Sequence, residues 1–214
     1  MSAEGTLSTE KLFPHGGPRR LPGEGSWLLT ERQCRNLLGA ADKAIEIGRP
    51  FNRWITVLWA RGGLDGYDGV KATGAFLKRF GDWMRRHGEK ACWIYSHECG
   101  ETNGIHVHIL LHVPERLDDA FRVMPRRWTR AISPNGYVDK AVKPRKLTGG
   151  SSPDAYTREL YRVRLLAKLH YMMKETELPV KASLSIREHP GGDEFPISPV
   201  LGKRAGCWQN WRTA

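Results

Sequence analysis

Apolar residues recur every three to four positions in four stretches of the chain, which predicts four helices. These stretches are residues 29–48, 69–88, 114–132 and 153–176. The first has Thr30 as a candidate N-cap and Gly48 as a stop signal. The third is expected to be interrupted or ended near Pro125, and the last begins with Pro153 at its first helical position.

Four other stretches are rich in β-branched and aromatic residues and predict strands. They are Arg53–Ala60, Ala91–Glu98, Ile105–Val113 and Tyr137–Pro144. A turn containing Gly100, Asn103 and Gly104 separates the second and third of them, which predicts a hairpin. The order strand, helix, strand, strand, helix, strand, helix predicts an α+β fold, with a central antiparallel sheet and helices packed on one face.

The length of 214 residues fits one domain with additions at both ends. Residues 1–25 contain many Gly and Pro and little apolar periodicity, which predicts a flexible leader. We place the domain at residues 26–178. Residues 179–214 are expected to form a basic C-terminal extension that packs on the core.

Lys and Arg number 34 against 23 Asp and Glu, giving a net charge of +11. Such an excess favours a polyanionic partner, with nucleic acid ahead of an anionic membrane surface. Short basic runs are candidate phosphate contacts. They contain Arg85, Arg86, Arg126, Arg127, Lys143, Arg145, Lys146, Lys203 and Arg204.

Several classes of protein are not favoured. No apolar run approaches the roughly 20 residues of a membrane span, and the N-terminal stretch lacks the apolar core of a secretory signal. We therefore expect a cytoplasmic protein with no membrane partner. The chain lacks the G-x-x-x-x-G-K-[ST] phosphate loop, so no nucleotide cofactor is expected. Its four cysteines form no CxxC pair, so neither a disulfide framework nor a four-thiolate zinc site is indicated.

The stretch "ECGETNGIHVHIL", residues 98–110, holds the first candidate site. Alternate side chains of a strand share a face, so His106 and His108 point the same way. Glu98, at the end of the hairpin partner strand, can lie beside them, and three such side chains could bind one divalent ion. Glu101 in the turn is a rival carboxylate, and two histidines on a solvated sheet face are the simpler alternative.

The second candidate is "HYMMKE", where Tyr171 and Lys174 lie three residues apart on a predicted helix. A tyrosine can act as a nucleophile towards phosphorus when its phenolate is favoured, and a neighbouring lysine can favour it. Tyr171 could equally be a core residue of an amphipathic helix. Tyr161 and Tyr156, upstream on the same helix, are weaker candidates.

Together, the apolar strand "WITVLW", Glu98 with "HVH", and "YMMK" follow the order of motifs in a known family. Over about residues 53–176 the chain resembles the HUH endonucleases, specifically the single-tyrosine initiators of rolling-circle replication of plasmids and phages. The resemblance implies an HUH/RRM-like βαββαβ core. It also implies that Glu98, His106 and His108 hold Mg²⁺ or Mn²⁺, that Tyr171 is the nucleophile and that Lys174 assists at the phosphate or helps to position the metal.

The resemblance implies an enzyme that nicks and rejoins one strand of single-stranded or hairpin origin DNA through a 5′-phosphotyrosine intermediate. The chain is too short for the helicase domain of the larger viral members, so a host helicase is an expected partner. A single-tyrosine transposase or a mobilisation relaxase would use the same chemistry. From other classes, a non-haem iron oxygenase and a nucleic-acid-binding module without catalysis remain alternatives.

Overall fold

A computed structural model describes residues 25–187, 198–209 and 211–212. Apart from Gly25, the predicted leader 1–25 lies outside these residues, as does the 188–197 part of the predicted extension. The strands are β1 Gly25–Ser26, β2 Arg53–Leu58, β3 Trp93–Gly100, β4 Gly104–Leu111, β5 Val142–Lys146, β6 Val200–Leu201 and β7 Ala205–Cys207. The α-helices are α1 Glu31–Glu46, α2 Gly66–Arg86, α3 Asp118–Phe121, α4 Met124–Ile132, α5 Ala155–Met172 and α6 Leu178–Ser183. None of the helices in these residues is long and apolar enough to cross a membrane.

Five strands form one antiparallel sheet in the order β5-β2-β4-β3-β7. Its centre is the predicted hairpin of β3 and β4, which pair from Trp93 opposite Leu111 to Gly100 opposite Gly104. The α+β class and the antiparallel sheet are therefore confirmed. A separate pair, β1 with β6, joins the two ends of the described chain.

Helices cover both faces of this sheet, so the expectation of helices on one face is wrong. On one face Val57 and Ile109 pack in a core with residues of α2 and α4. On the other, Trp54 and Leu110 pack in a core with residues of α1 and α5. The physical reason is that the central strands are apolar in both alternating sets of side chains, as strands buried on both faces are.

Local signals predicted the first helix better than the last. Thr30 caps α1 in a reciprocal arrangement with Gln33, as the sequence suggested. The helical stretch around Pro125 is divided as expected, with Pro125 in the first turn of α4. In α5, however, Asp154 is the N-cap, so Pro153 lies outside the helix, and the helix ends at Met172 rather than at Thr176.

The last predicted strand is displaced towards the C-terminus. The sequence favours residues 137–144, whereas β5 spans Val142–Lys146 and its last four residues are exposed. A turn in which Ala141 N–H donates to Val138 O occupies the start of the predicted segment. Lys, Arg and Pro are typical of an edge strand, because its outer side is not paired within the sheet.

Candidate metal centre and adjoining tyrosine

Strand register brings three side chains together on the α5 face of the sheet. Glu98 lies directly opposite His106, and His108 lies opposite Thr56 on the other neighbouring strand. Glu98 Oε2 is 3.3 Å from His106 Nε2, and Glu98 Oε1 is 3.6 Å from His108 Nε2. All three side chains are buried, so the histidines are not on a solvated sheet face.

Hydrogen bonds on the far sides of the two imidazoles fix how they point. His106 Nδ1 is 2.9 Å from Gly104 O, and since a carbonyl only accepts, Nδ1 carries the proton. Its Nε2 atom then faces Glu98 in the cluster. His108 Nδ1 is held 3.0 Å from Thr56 Oγ1, which leaves its Nε2 facing Glu98.

Two polar atoms in this cluster lack a hydrogen bond although they are buried. They are Glu98 Oε1 and His108 Nε2, and they face each other. Buried polar atoms without a partner are rare because they lose hydration without compensation. A cation between them would satisfy both. The three candidate ligand atoms lie within 4.8 Å of one another, so Glu98, His106 and His108 could hold a metal ion.

The protonation states favoured by the environment suit metal binding. Burial alone would raise the pKa of Glu98, but the two imidazoles and Lys174 outweigh it and lower that pKa well below its ordinary value. Burial lowers the pKa of His108 despite the neighbouring carboxylate. The cluster therefore holds an ionised carboxylate and a neutral His108, the forms in which these groups bind metals.

Tyr171 lies next to the cluster, in the last turn of α5. Its ring centroid is 5.0 Å from that of His108 and nearly perpendicular to it. Trp54 stacks on the same imidazole, with the two ring centroids 4.9 Å apart. The Trp54 and Tyr171 rings are in edge-to-face contact. The His108 ring is thus held between the aromatic side chains of β2 and α5.

Lys174 lies just beyond the end of α5, not on the helix as the spacing suggested. Its Nζ is 2.8 Å from Glu98 Oε2 and 4.3 Å from the centre of the Tyr171 ring. Burial would lower the pKa of Lys174, but Glu98 and Tyr171 raise it. The ammonium group is therefore charged, and it contacts both the candidate ligand and the candidate nucleophile.

A cleft of about 250 Å³ exposes this arrangement to solvent. Its lining combines the aromatic and imidazole side chains with cations from β5 and α5. The lining residues are Trp54, Thr56, Leu58, Asn103, His106, His108, Lys143, Arg145, Lys168 and Tyr171. Sequence reasoning missed Thr56 and Lys168. Lys168 precedes Tyr171 by three residues, so helical spacing could have indicated it.

The rival residues lie elsewhere. Glu101 is exposed in the turn between β3 and β4 and is not in the cluster. Tyr161 is buried, and its hydroxyl donates to Phe51 O. Tyr156 is 72% exposed at the opposite end of α5. Of the three tyrosines considered, Tyr171 is the one that lines the cleft.

The predicted phosphate-contacting residues are divided among several surfaces. Lys143 and Arg145 line the site cleft, whereas exposed Arg126 and Arg127 of α4 line a different one. Lys146 pairs with Asp118. Arg85 pairs with Asp82. The side chains of Arg86 and Lys203 are exposed, whereas that of Arg204 is buried.

Arg204 does not lie on a surface that DNA could reach. Its side chain pairs with Glu175 and donates to Ser26 O, which ties the C-terminal segment to the start of the domain. The prediction that it contacts phosphate is therefore wrong, because local charge density does not show whether a side chain is buried.

Comparisons of the chain with protein-family models, with curated proteins and with solved structures find no match.

Proposed function

We propose that this protein is a metal-dependent enzyme that nicks and rejoins single-stranded or hairpin DNA, in the manner of the single-tyrosine HUH endonucleases. The observation that carries the proposal is the position of the Tyr171 ring, 5.0 Å from His108 in a buried cluster that could hold a metal. The cleft around them also carries the cations Lys143, Arg145 and Lys168, which suit a phosphodiester substrate.

Glu98, His106 and His108 would hold Mg²⁺ or Mn²⁺. The ion, when bound, supplies Lewis acidity towards a non-bridging oxygen of the scissile phosphate. Neighbouring residues would orient these three side chains before the ion binds. Gly104 O and Thr56 fix the imidazoles, while Lys174 engages one oxygen of Glu98 and leaves the other directed at His108.

In the proposed reaction the Tyr171 oxygen forms a bond to phosphorus and the bond from phosphorus to the 3′-oxygen breaks. The products are a 5′-phosphotyrosyl link and a 3′-hydroxyl, so the proton lost by the tyrosine is balanced by the one gained by the leaving oxygen. Charged Lys174 is placed to offset the negative charge of the phosphate. Attack by the 3′-hydroxyl reverses the reaction and rejoins the strand without a nucleotide cofactor. Duplex unwinding would require a separate helicase.

The test is the formation of a covalent protein–DNA adduct. The protein is incubated with Mn²⁺ and a labelled pool of random single strands flanked by a hairpin, and adducts are separated under denaturing conditions. Tyr171→Phe should form none, whereas Tyr156→Phe and Tyr161→Phe should retain them. Sequencing the captured strands would give the recognised site. No adduct with the wild type, or an undiminished adduct with Tyr171→Phe, would rule out this mechanism.

A further inference from the structure

A second cleft, of about 540 Å³, lies on the α4 side of the sheet, and four of its six lining residues are arginines. Its cations are Arg122, Arg126, Arg127 and Arg130, and its other lining residues are Val123 and Pro144. No carboxylate among the residues that the structure describes lines it. We call this surface the arginine cleft. Because all four arginines are exposed, their charge is available to a partner.

Some arginines of the other helices are neutralised within their own helix. Arg35, Arg85 and Arg162 each pair with an acidic residue three or four positions away on the same helix. In the part of the chain that the structure describes, no ion pair involves any of the four residues of the arginine cleft. Arg126 and Arg130 lie four residues apart on α4, where like charges repel across one helical turn, and Arg122 lies in the turn just before this helix. A bound polyanion would neutralise this repulsion.

The arginine cleft connects with the proposed catalytic cleft around the β5 edge of the sheet. A third cleft, of about 260 Å³, lies between them. Arg145 lines both this middle cleft and the catalytic one, while Arg122 and Pro144 line both the middle cleft and the arginine cleft. The middle cleft contains two carboxylates, Asp118 and the exposed Asp119. Arg53 and Lys146 both pair with Asp118. The four cations of this lining, Arg53, Arg122, Arg145 and Lys146, outnumber its carboxylates, so a path of net positive charge runs from the catalytic cleft to the arginine cleft.

The two ends of this path offer different chemistry. The catalytic cleft contains the aromatic residues Trp54 and Tyr171, whereas no aromatic side chain of the described ranges lines the arginine cleft. Unpaired bases bind well where they can stack on aromatic rings, but a duplex keeps its bases stacked and presents phosphates. Arg126 and Arg130 are separated by about 6 Å along α4, a length over which one strand of B-DNA presents roughly two phosphates, and Arg122 in the preceding turn could contact a further phosphate.

We propose that the arginine cleft binds the phosphate backbone of the duplex that flanks the strand being cut, and that the DNA passes between the two clefts over β5. The proposal rests on the proposed function for the position of the unpaired strand in the catalytic cleft. Binding to the arginine cleft would depend little on sequence and strongly on salt, since its contacts are to phosphate.

The test compares two triple variants that lose the same charge. Arg122→Gln/Arg126→Gln/Arg130→Gln, called the α4 variant, removes three of the four cations of the arginine cleft. The control variant, Arg32→Gln/Arg35→Gln/Arg162→Gln, removes three exposed arginines from α1 and α5. Both are made in a Tyr171→Phe background, and affinity is measured without metal by fluorescence anisotropy. The failure of the nicking proposal would therefore not affect the result. The probes are a single strand and a duplex carrying the same single strand as an overhang, each at several salt concentrations.

The α4 variant should bind the overhang duplex at least about tenfold more weakly, and its log–log salt slope should be smaller by about 2 to 3, at about 0.9 per phosphate contact. Its affinity for the single strand should match that of the parent. The triple lysine variant at the same positions, which keeps the charge, should retain most of the slope. Equal losses in the α4 and control variants would overturn the proposal, because binding would then follow net charge. An unchanged slope in a folded α4 variant, or equal loss for the single strand, would also overturn it.

Discussion

Lys174 Nζ lies 2.8 Å from Glu98 Oε2, so one ion pair joins the segment after α5 to the histidine pair on the sheet. The same carboxylate oxygen is 3.3 Å from His106 Nε2, while the other oxygen faces His108. Glu98 Oε2 therefore lies between Lys174 and His106, while Oε1 is directed at His108. An ion pair this well buried is formed only with several compensating contacts, and the removal of one partner leaves a charge without compensation.

We expect Lys174→Met to weaken Mn²⁺ binding, although lysine is not itself a ligand. Without the ammonium group, Glu98 Oε2 loses the contact that orients the carboxylate, and such supporting contacts typically change metal affinity by about 10- to 100-fold. Isothermal titration with Mn²⁺ measures the effect. Lys168→Met is the matched control: its Nζ lies 5.1 Å above the Trp54 ring, and no ion pair with Glu98 is found among the described residues. A Lys174→Met variant with the affinity of the wild type would show that this ion pair does not position the ligand.

We expect Glu98→Gln to reduce Mn²⁺ affinity by at least about 100-fold, because a neutral amide is a much weaker ligand than a carboxylate. Glu101→Gln removes the same charge only three residues away, from an exposed position outside the cluster, and should leave the affinity unchanged. Electron paramagnetic resonance of free Mn²⁺ during titration distinguishes the two variants. If Glu98→Gln and Glu101→Gln lose Mn²⁺ affinity equally, then the effect arises from the net charge of the protein, and the cluster is not the metal site.

Thr56→Val should weaken Mn²⁺ binding by about tenfold and, because it leaves Nδ1 of buried His108 without this partner, should also cost about 1 kcal/mol of the free energy of unfolding. Valine has nearly the same shape as threonine but cannot hold His108 Nδ1, which is 3.0 Å from Thr56 Oγ1. The control is Thr73→Val on the other face of the sheet, where Thr73 Oγ1 accepts from Trp59 Nε1 and contacts His97 Nε2.

The two threonine variants should differ in metal affinity. Thr73→Val leaves buried polar partners unsatisfied and should cost about 1–3 kcal/mol of the free energy of unfolding, with metal affinity unchanged. Urea unfolding and Mn²⁺ titration measure the two quantities. If Thr56→Val binds metal as the wild type does, then the Thr56 contact does not determine the orientation of His108.

Local sequence patterns predicted the parts of the site that lie within one hairpin. Strand alternation was enough to place His106 and His108 on one face, and the position of Glu98 at the end of the preceding strand was enough to place it beside them. Thr56 was not predictable in the same way. Its position opposite His108 depends on the register of β2 against β4, which are separated by a helix and another strand.

The distribution of charge shows the same limit. Arg126 and Arg204 are both members of basic pairs or runs in the sequence, yet the first is exposed in a cleft and the second is buried against Glu175. The difference arises because β7 joins the sheet beside β3 and carries the residue before it, Arg204, into the interior. A charged run indicates a partner only after the fold has determined which members are exposed.

His97 should make the stability of the protein depend on pH below neutrality. The ring is buried on the α2 face of the sheet, between Lys203 O and Thr73 Oγ1. Burial lowers the pKa of His97 to about 3 in the folded protein, against about 6.5 in an unfolded chain. Between these values the unfolded state binds a proton that the folded state does not. Stability should therefore be greatest above about pH 6.5 and fall as the pH is lowered, by up to ~1.4 kcal/mol per pH unit from this residue.

The contribution of His97 can be isolated as a difference between variants. His97→Gln should be less stable than the wild type at neutral pH, because a buried ring is lost. The difference between their free energies of unfolding should become smaller as the pH falls from neutral to about 4, because the wild type loses stability when His97 is protonated on unfolding. Urea unfolding across that pH range measures the free energies of unfolding of both proteins. If the difference in the free energy of unfolding between the wild type and His97→Gln stays constant with pH, then His97 titrates alike in the folded and unfolded states, contrary to the prediction from its burial.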